Sequence, residues 1–331
     1  MNRRTLLATT AILGFGLGTG APFARALAAP PAHWPKSLTL GTASVGGTYY
    51  VYGQAWASLV SEKIGVPIST QQTQGPNQNI ILVEDRQVEL GMTTMGIALQ
   101  AWEGTGAWTQ GRKFRDIRAM FPMYDTPFHF VALERSGIKS VAQLAGKRVG
   151  VGPRAGTPGT YFPLMFEALG LKVTIVNGQA ADMASQLADG LIDCFAFAAG
   201  LPIASFSELE ATQKVTFFSF TRDEIAKLKA KFPELSDATI PAGTYKTLTE
   251  SQPTLGIFNF AICHKSLPND LVEAIVRAIF ENHEALVKGH AAAKETVLEN
   301  VSRNSFLPFH PGAVNYYKSK GIEIPANLVG A

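Results

Sequence analysis

Cysteine is nearly absent from this chain: Cys194 and Cys263 are the two in 331 residues. A protein of this length buries enough apolar surface to hold its core without covalent staples. The histidines, His33, His129, His264, His283, His290 and His310, share no metal-ligand spacing with one another or with the cysteines, and no metal is expected. There is no phosphate-binding P-loop and no Gly-x-Ser-x-Gly elbow, so neither chemistry announces itself, and no cofactor is expected. An excess of charge is missing as well. The formal net charge is +3, from 29 Lys and Arg against 26 Asp and Glu. Arg3, Arg4 and Arg25 supply that whole excess, because the first 28 residues hold no acid. The remaining chain has no general attraction for nucleic acid or an anionic membrane, and a nucleic-acid partner is not expected.

What is present is an ordinary globular composition, 46% hydrophobic and 17% charged, at a length that suggests about two domains. Arg3 and Arg4 precede an uncharged stretch from Thr5 to Ala24, which closes on Ala26-Leu27-Ala28. That is the order of a secretory signal peptide, so residues 1–28 are expected to direct export and be removed. The glycines at Gly14, Gly16, Gly18 and Gly20 argue against a membrane anchor in that segment. No later stretch reaches the length of apolar residues a spanning helix needs.

Two stretches repeat one plan. The first predicts a strand Leu38–Thr42, a loop of Ala43, Ser44, Gly46 and Gly47, and a helix from about Thr48 to Lys63. A strand Pro67–Gln72, a helix Asn79–Asp85 and a strand Glu89–Thr93 follow. The second predicts a strand Arg148–Gly152, a loop with Gly156 and Gly159, and a helix Thr160–Leu169 stopped by Gly170. It continues with a strand Val173–Val176, a helix Asp182–Ala188 and a strand Leu191–Phe197. Strand-like runs at Phe128–Glu134, Val215–Phe220 and Gly256–Cys263, with a long helix after Pro268, complete the reading. The expectation is an α/β fold of two lobes, each a mostly parallel sheet flanked by helices, with a ligand cleft between them. Lobe I is drawn over residues 29–132 plus 255–331 and lobe II over 133–254, with crossovers near Ala132–Glu134 and Thr254–Gly256. Cys194 then falls in one lobe and Cys263 in the other, which predicts two free thiols.

Both small-residue loops stand at helix N-termini, where unsatisfied backbone N–H groups and the helix dipole receive anions. Ligands of open α/β sheets sit at the carboxyl ends of the strands, where these loops lie. Arg154, in the second loop, offers a charge-assisted contact or is a solvated loop residue. Tyr49 and Tyr52 share a helix face while Tyr50 points elsewhere. Gly150-x-Gly152-x-x-x-Gly156 is one residue too long for a dinucleotide fingerprint, and Pro153 and Pro158 stiffen it.

Gly41–Tyr50 (GTASVGGTYY) resembles the opening motif of TAXI-type solute-binding proteins, the extracytoplasmic subunits of TRAP transporters. Gly75–Asn79, Val88–Gly91, Ala98–Gly104, Ser140–Gly152, Ile240–Tyr245, Ala291–Asn300 and His310–Ala313 continue the resemblance in order along the chain. It implies a periplasmic-binding-protein fold of type II, a periplasmic location, a small anionic solute and a TRAP membrane permease as partner. The family's solutes tend to be dicarboxylates or acidic amino acids and their keto acids. Carried over by position, the site would comprise Gly46, Gly47, Thr48, Tyr49, Tyr50, Asn79, Thr93, Thr94, Met95, Arg154, Gly156, Thr157, Ala199 and Gly200. Thr94-Met95 replaces the Gln-Ser pair common in relatives, and the second loop reads Pro153-Arg154-Ala155-Gly156-Thr157. A secreted enzyme acting on a small carboxylate on the same scaffold is the alternative.

Overall fold

Two five-stranded sheets carry the fold, and both are wired alike. The computed structural model describes residues 29–330; the expected signal segment lies outside them. The first unit runs β1 (Leu38–Gly41), α1 (Thr48–Ile64), β2 (Ile68–Gln71), α2 (Pro76–Glu84), β3 (Leu90–Thr94), α3 (Met95–Glu103) and β4 (Ile117–Asp125). The chain then crosses into the second unit: β5 (Phe128–Leu133), β6 (Arg148–Gly150), α4 (Thr157–Leu169), β7 (Thr174–Val176), α5 (Ala180–Ala188), β8 (Cys194–Ala198), α6 (Ala204–Thr212) and β9 (Val215–Phe218). Helix α7 (Arg222–Lys231) and a ribbon of β10 (Ser236–Ile240) and β11 (Gln252–Gly256) follow. The chain returns through β12 (Phe258–His264) to α8 (Asn269–Glu281), α9 (His283–Gly289) and α10 (Pro311–Ser319).

The first sheet is ordered β2-β1-β3-β12-β4 and the second β7-β6-β8-β5-β9. In each, the fourth position is taken by a strand that arrives from, or departs to, the other lobe. Those two strands, β12 and β5, run antiparallel to both neighbours, and the rest are parallel. The two-lobed, mostly parallel architecture expected from the sequence is therefore the one found.

Local sequence explains most of the elements. Helix α1 buries Tyr49, Tyr52, Trp56, Leu59 and Val60 along one stripe. It ends at Gly65, whose left-handed conformation returns its N–H to the Ser61 carbonyl. Strand β5 alternates faces. Phe128 and Phe130 pack on Phe162 of α4, while His129 meets Phe206 and Tyr245 on the other side. One apolar cluster runs from the first lobe through to the α4 face of the second sheet, and a separate cluster covers that sheet's other face. Among the described residues, no helix is long and apolar enough to cross a membrane.

Three features depart from expectation. Strand Phe128–Leu133 pairs with β8 and β9, so it belongs to the second sheet, not to the first lobe's share of the chain. The first crossover accordingly lies at Thr126–Pro127, upstream of Ala132–Glu134. There Thr126 and Ile257 exchange backbone hydrogen bonds, tying the two crossovers to each other. Strand β4 has no counterpart in the sequence reading because Pro122 interrupts it; an edge strand beside a register shift tolerates that proline. Helices α2 and α4 begin at Pro76 and Thr157, three residues ahead of Asn79 and Thr160. Their Gly-Pro and Thr-Pro starts look like loop punctuation, yet proline suits a helix's first turn.

Cys194 and Cys263 are free, fully buried and in different sheets, and burial pushes both thiols well above their ordinary range. Thiol titration is expected to find two groups per chain in unreduced, denatured protein and none in native protein. Fewer than two after denaturation would contradict this arrangement.

His129 supplies a pH prediction. Its Nδ1–H donates to the Pro127 carbonyl, and Nε2 accepts from the Tyr245 hydroxyl, which itself accepts the Ile203 N–H. Burial lowers its pKa to about 4, against about 6.5 when unfolded. The unfolded chain therefore binds more protons between those values, and stability falls with pH through that window by about 3 kcal/mol. The stability difference between the wild type and His129→Gln in urea is expected to shrink between pH 7.5 and pH 4.5. An equal difference at both would refute it.

Candidate functional site

The carboxyl ends of β1, β2, β6 and β8 point to the junction of the lobes, and the loops that follow them line a cavity of about 40 Å³. From lobe I its wall includes Ala43, Ser44, Gly47, Thr48, Tyr49, the Gln74-Gly75-Pro76 turn, Thr126 and Asn259. From lobe II come Pro153, Gly156, Thr157, Pro158, Phe197, Ala198 and Ala199. Among the described residues, no Asp, Glu, Lys, Arg or His lines it.

Three helices begin at this wall. Helices α1, α2 and α4 start from Gly47, Gly75 and Gly156, none of which offers a side-chain cap, and none of the three has an acid in its first turn. Helix α7 shows the contrast: Thr221 and Glu224 form a reciprocal capping box there. Capping the cavity helices with glycine leaves backbone N–H donors open at the positive ends of three dipoles. Glycine is also needed sterically at Gly75. Its φ of +128° disfavours any side chain, and a Cβ there would stand 3.0 Å from the Gly156 Cα of the other lobe.

The lobes are closed on one another. The hydroxyls of Thr94 and Thr157 lie 3.0 Å apart across the cleft. Thr48 Oγ1 donates to the Gly200 carbonyl, Ser205 N–H to the Gly46 carbonyl and Ala181 N–H to the Val45 carbonyl. At the floor, Asn259 accepts from the Tyr49 hydroxyl at 2.6 Å and donates to the Tyr124 carbonyl and to Thr126 Oγ1. Burial raises the Tyr49, Tyr52 and Tyr124 hydroxyls well above their ordinary pKa, so all three stay neutral. The arrangement suits binding and desolvating an anion, and the one titratable group among the described residues of the wall, the Tyr49 hydroxyl, is shifted away from neutrality and not toward it.

A model of the NMT1-like family matches residues 40–321. The chain belongs to the NMT1-like family. Among solved structures, the periplasmic binding protein BugD is similar at a TM-score of 0.56 and 12% identity, over 88% of this chain and 99% of that one. MatC from Rhodopseudomonas palustris, solved with bound malate, matches at 0.56 and 13%, over 86% and 95%. A structure described as a periplasmic transporter matches at 0.51 and 16%, over 80% and 88%. At these identities the likeness shows the fold, that of type II periplasmic binding proteins.

Within this NMT1-like chain the residues singled out from sequence separate into groups. Gly47, Thr48, Tyr49, Gly156, Thr157 and Ala199 line the cavity. Gly46, Thr94 and Gly200 join the lobes beside it. Thr93 is buried in β3, its hydroxyl donating to the Thr94 carbonyl. Met95 borders a different groove, with Phe258 and Arg303. Tyr50 is half-buried and Arg154 exposed, and neither lines the cavity. Sequence reasoning missed Gly75, Thr126, Phe197 and Asn259. Asn259 alone carried a signal, as an amide inside the apolar run Phe258–Cys263.

Asn79 serves the site from behind. Its Nδ2 donates to the Thr42 and Met92 carbonyls at 2.8 and 2.9 Å, and its Oδ1 accepts from Thr73 Oγ1 at 2.8 Å. It thereby joins the ends of β1 and β3 to the turn that delivers Gly75. Asn79→Ala strands those fully buried partners and is expected to cost about 2–4 kcal/mol, from one to three unmet groups. An unchanged urea midpoint would contradict that role.

Proposed function

We propose that this protein is the extracytoplasmic solute-binding subunit of a TAXI-type TRAP transporter, capturing a small carboxylate between its lobes and presenting it to a membrane permease. One observation carries the reading: three glycine-started, uncapped helices, two from one lobe and one from the other, converge on a small cavity between the lobes with no charged side chain among the described residues that line it. Such starts bind carboxylates through backbone donors, and a ligand touching both lobes favours the closed state by its contacts there. In this reading Gly47, Thr48, Tyr49, Gly156, Thr157 and Ala199 contact the solute, while Thr94 and Gly200 help to latch the lobes. The fold and the order of TAXI-like motifs along the chain support it. The exported location rests on the signal-like residues 1–28.

Native mass spectrometry of protein purified without denaturation is expected to show a retained small acid, recovered chemically unchanged. Removing and restoring it should raise and then lower the radius of gyration in solution scattering, and restoration should raise the melting temperature. Conversion of the acid to a product on incubation would point to an enzyme. Superimposable scattering profiles with and without saturating ligand would overturn the clamp.

A further inference from the structure

We infer that the solute is a short monocarboxylate without an ammonium group, of about three to six non-hydrogen atoms. This rests on the solute-binding reading above and narrows it. Four observations lead there.

The first is size. A water needs roughly 10–15 Å³ of such space, so a cavity of about 40 Å³ has room for about three or four waters, the scale of a short-chain acid and not of a longer one. Its apolar wall is packed closely on the backbone. A Cβ on Gly152 would meet the Phe197 ring at 2.6 Å, and one on Gly47 would meet it at 3.6 Å, so the ring is held between two glycine backbones. A longer acid would stop the lobes before Thr94 reaches Thr157 and Thr48 reaches the Gly200 carbonyl.

The second is charge. Each helix start contributes roughly half a positive charge. The sum holds one carboxylate and leaves a second without a full counter-charge, since no Arg, Lys or His lines the wall. Burying an unpaired carboxylate is costly.

The third is the missing acid. An ammonium group needs a carboxylate or several acceptors, and no Asp or Glu faces the cavity. The nearest by sequence, Asp125, turns away: its carboxylate oxygens flank Gly256, Oδ1 accepts the Thr126 N–H, and the residue lines a separate groove with Glu295. Amino acids are therefore disfavoured.

The fourth is independent of the helices. Ser44 is 2% exposed, lines the cavity, and its hydroxyl has no partner within the protein. It lies beside the open face of Gly47, where a Cβ would stand 3.5 Å from its Oγ. A hydroxyl that faces the cavity and has no protein partner is free to donate to a ligand there. The bound carboxylate accepts from Ser44 Oγ and from the backbone donors of the converging starts, and the short carbon body lies against Phe197.

The test is calorimetric titration of ligand-stripped protein with acetate, propanoate, lactate and pyruvate, and with succinate, malate, glutamate and alanine, each with scattering. At least one of the first four is expected to bind and close the lobes, and each of the second four to bind at least 100-fold more weakly. Ser44→Ala is expected to weaken the preferred acid by about 10- to 100-fold, the range for a hydrogen bond to a charged group, without lowering the melting temperature of the stripped protein. Tighter binding and closure with a dicarboxylate or an amino acid overturns this inference and leaves the solute-binding reading standing. No binding by any of the eight, with a retained ligand that is not a carboxylate, overturns the carboxylate reading itself. Undiminished affinity in Ser44→Ala removes the assigned contact.

Discussion

A single carboxamide ties together the parts on which this structure depends. Asn259 sits in β12, fully buried among apolar neighbours, where burying an unpaired amide would be costly. Its hydrogen bonds reach α1 through the Tyr49 hydroxyl, β4 through the Tyr124 carbonyl, and the first crossover through Thr126. The local register shift between β12 and β4 lets the residue leave the regular ladder. Helix position, hinge and cavity floor are thus set by satisfying one buried polar group. Tyr49 and Tyr52 then pack edge-on against Tyr124, which fixes the start of α1 relative to the crossover.

From that anchor the binding chemistry follows by subtraction. Helices α5, α7 and α8 carry an acid in their first turn, and α3 and α6 have neither an acid nor a side-chain cap; the three cavity helices also lack both and alone among these start from glycine. The result is a site lined by backbone donors in which the one titratable side chain among the described residues, Tyr49, stays neutral because burial raises its pKa. Backbone donors do not change protonation near neutrality, so attraction for an anion there does not depend on a histidine or lysine holding its proton. The same choice brings the loops of opposite lobes almost into backbone contact at Gly75 and Gly156, and it makes the closed cavity small.

Much of this was legible in the chain. Alternating helical and strand periods announced two α/β units, and the glycine-rich loops after the strands at Leu38 and Arg148 marked where a ligand would sit. Tyr49 and Tyr52 turned inward while Tyr50 stayed half-buried, as helical spacing required. What was hidden has physical reasons. Pro122 disguised an edge strand, and Pro76 and Pro158 disguised helix starts as loops, which concealed Gly75 as a cap. Ser44, Thr126, Phe197 and Asn259 meet only because four separate segments converge, and no spacing rule joins residues so far apart. Arg154 drew attention as the one cation in its loop, but the backbone there presents its amides to the cavity and leaves the side chain exposed. Asn79 drew it as a polar residue within a motif, and it proved to be committed to carbonyls of the scaffold.

The connectivity of the two sheets also separates local pairing from long-range pairing. The second sheet takes all its strands from one uninterrupted stretch, β5 to β9, residues 128–218. The first sheet cannot close until β12, residues 258–264, has passed through the other lobe and come back between β3 and β4. Contacts between distant parts of a chain form late because the intervening loop must first be closed. The N-terminal lobe, though first in sequence, therefore rests on a pairing between strands far apart in the chain, β3 and β12. Until that pairing forms, β3 and β4 present unpaired edges, the kind of surface on which chains pair wrongly with one another. The lobe that begins the protein depends on the one that interrupts it.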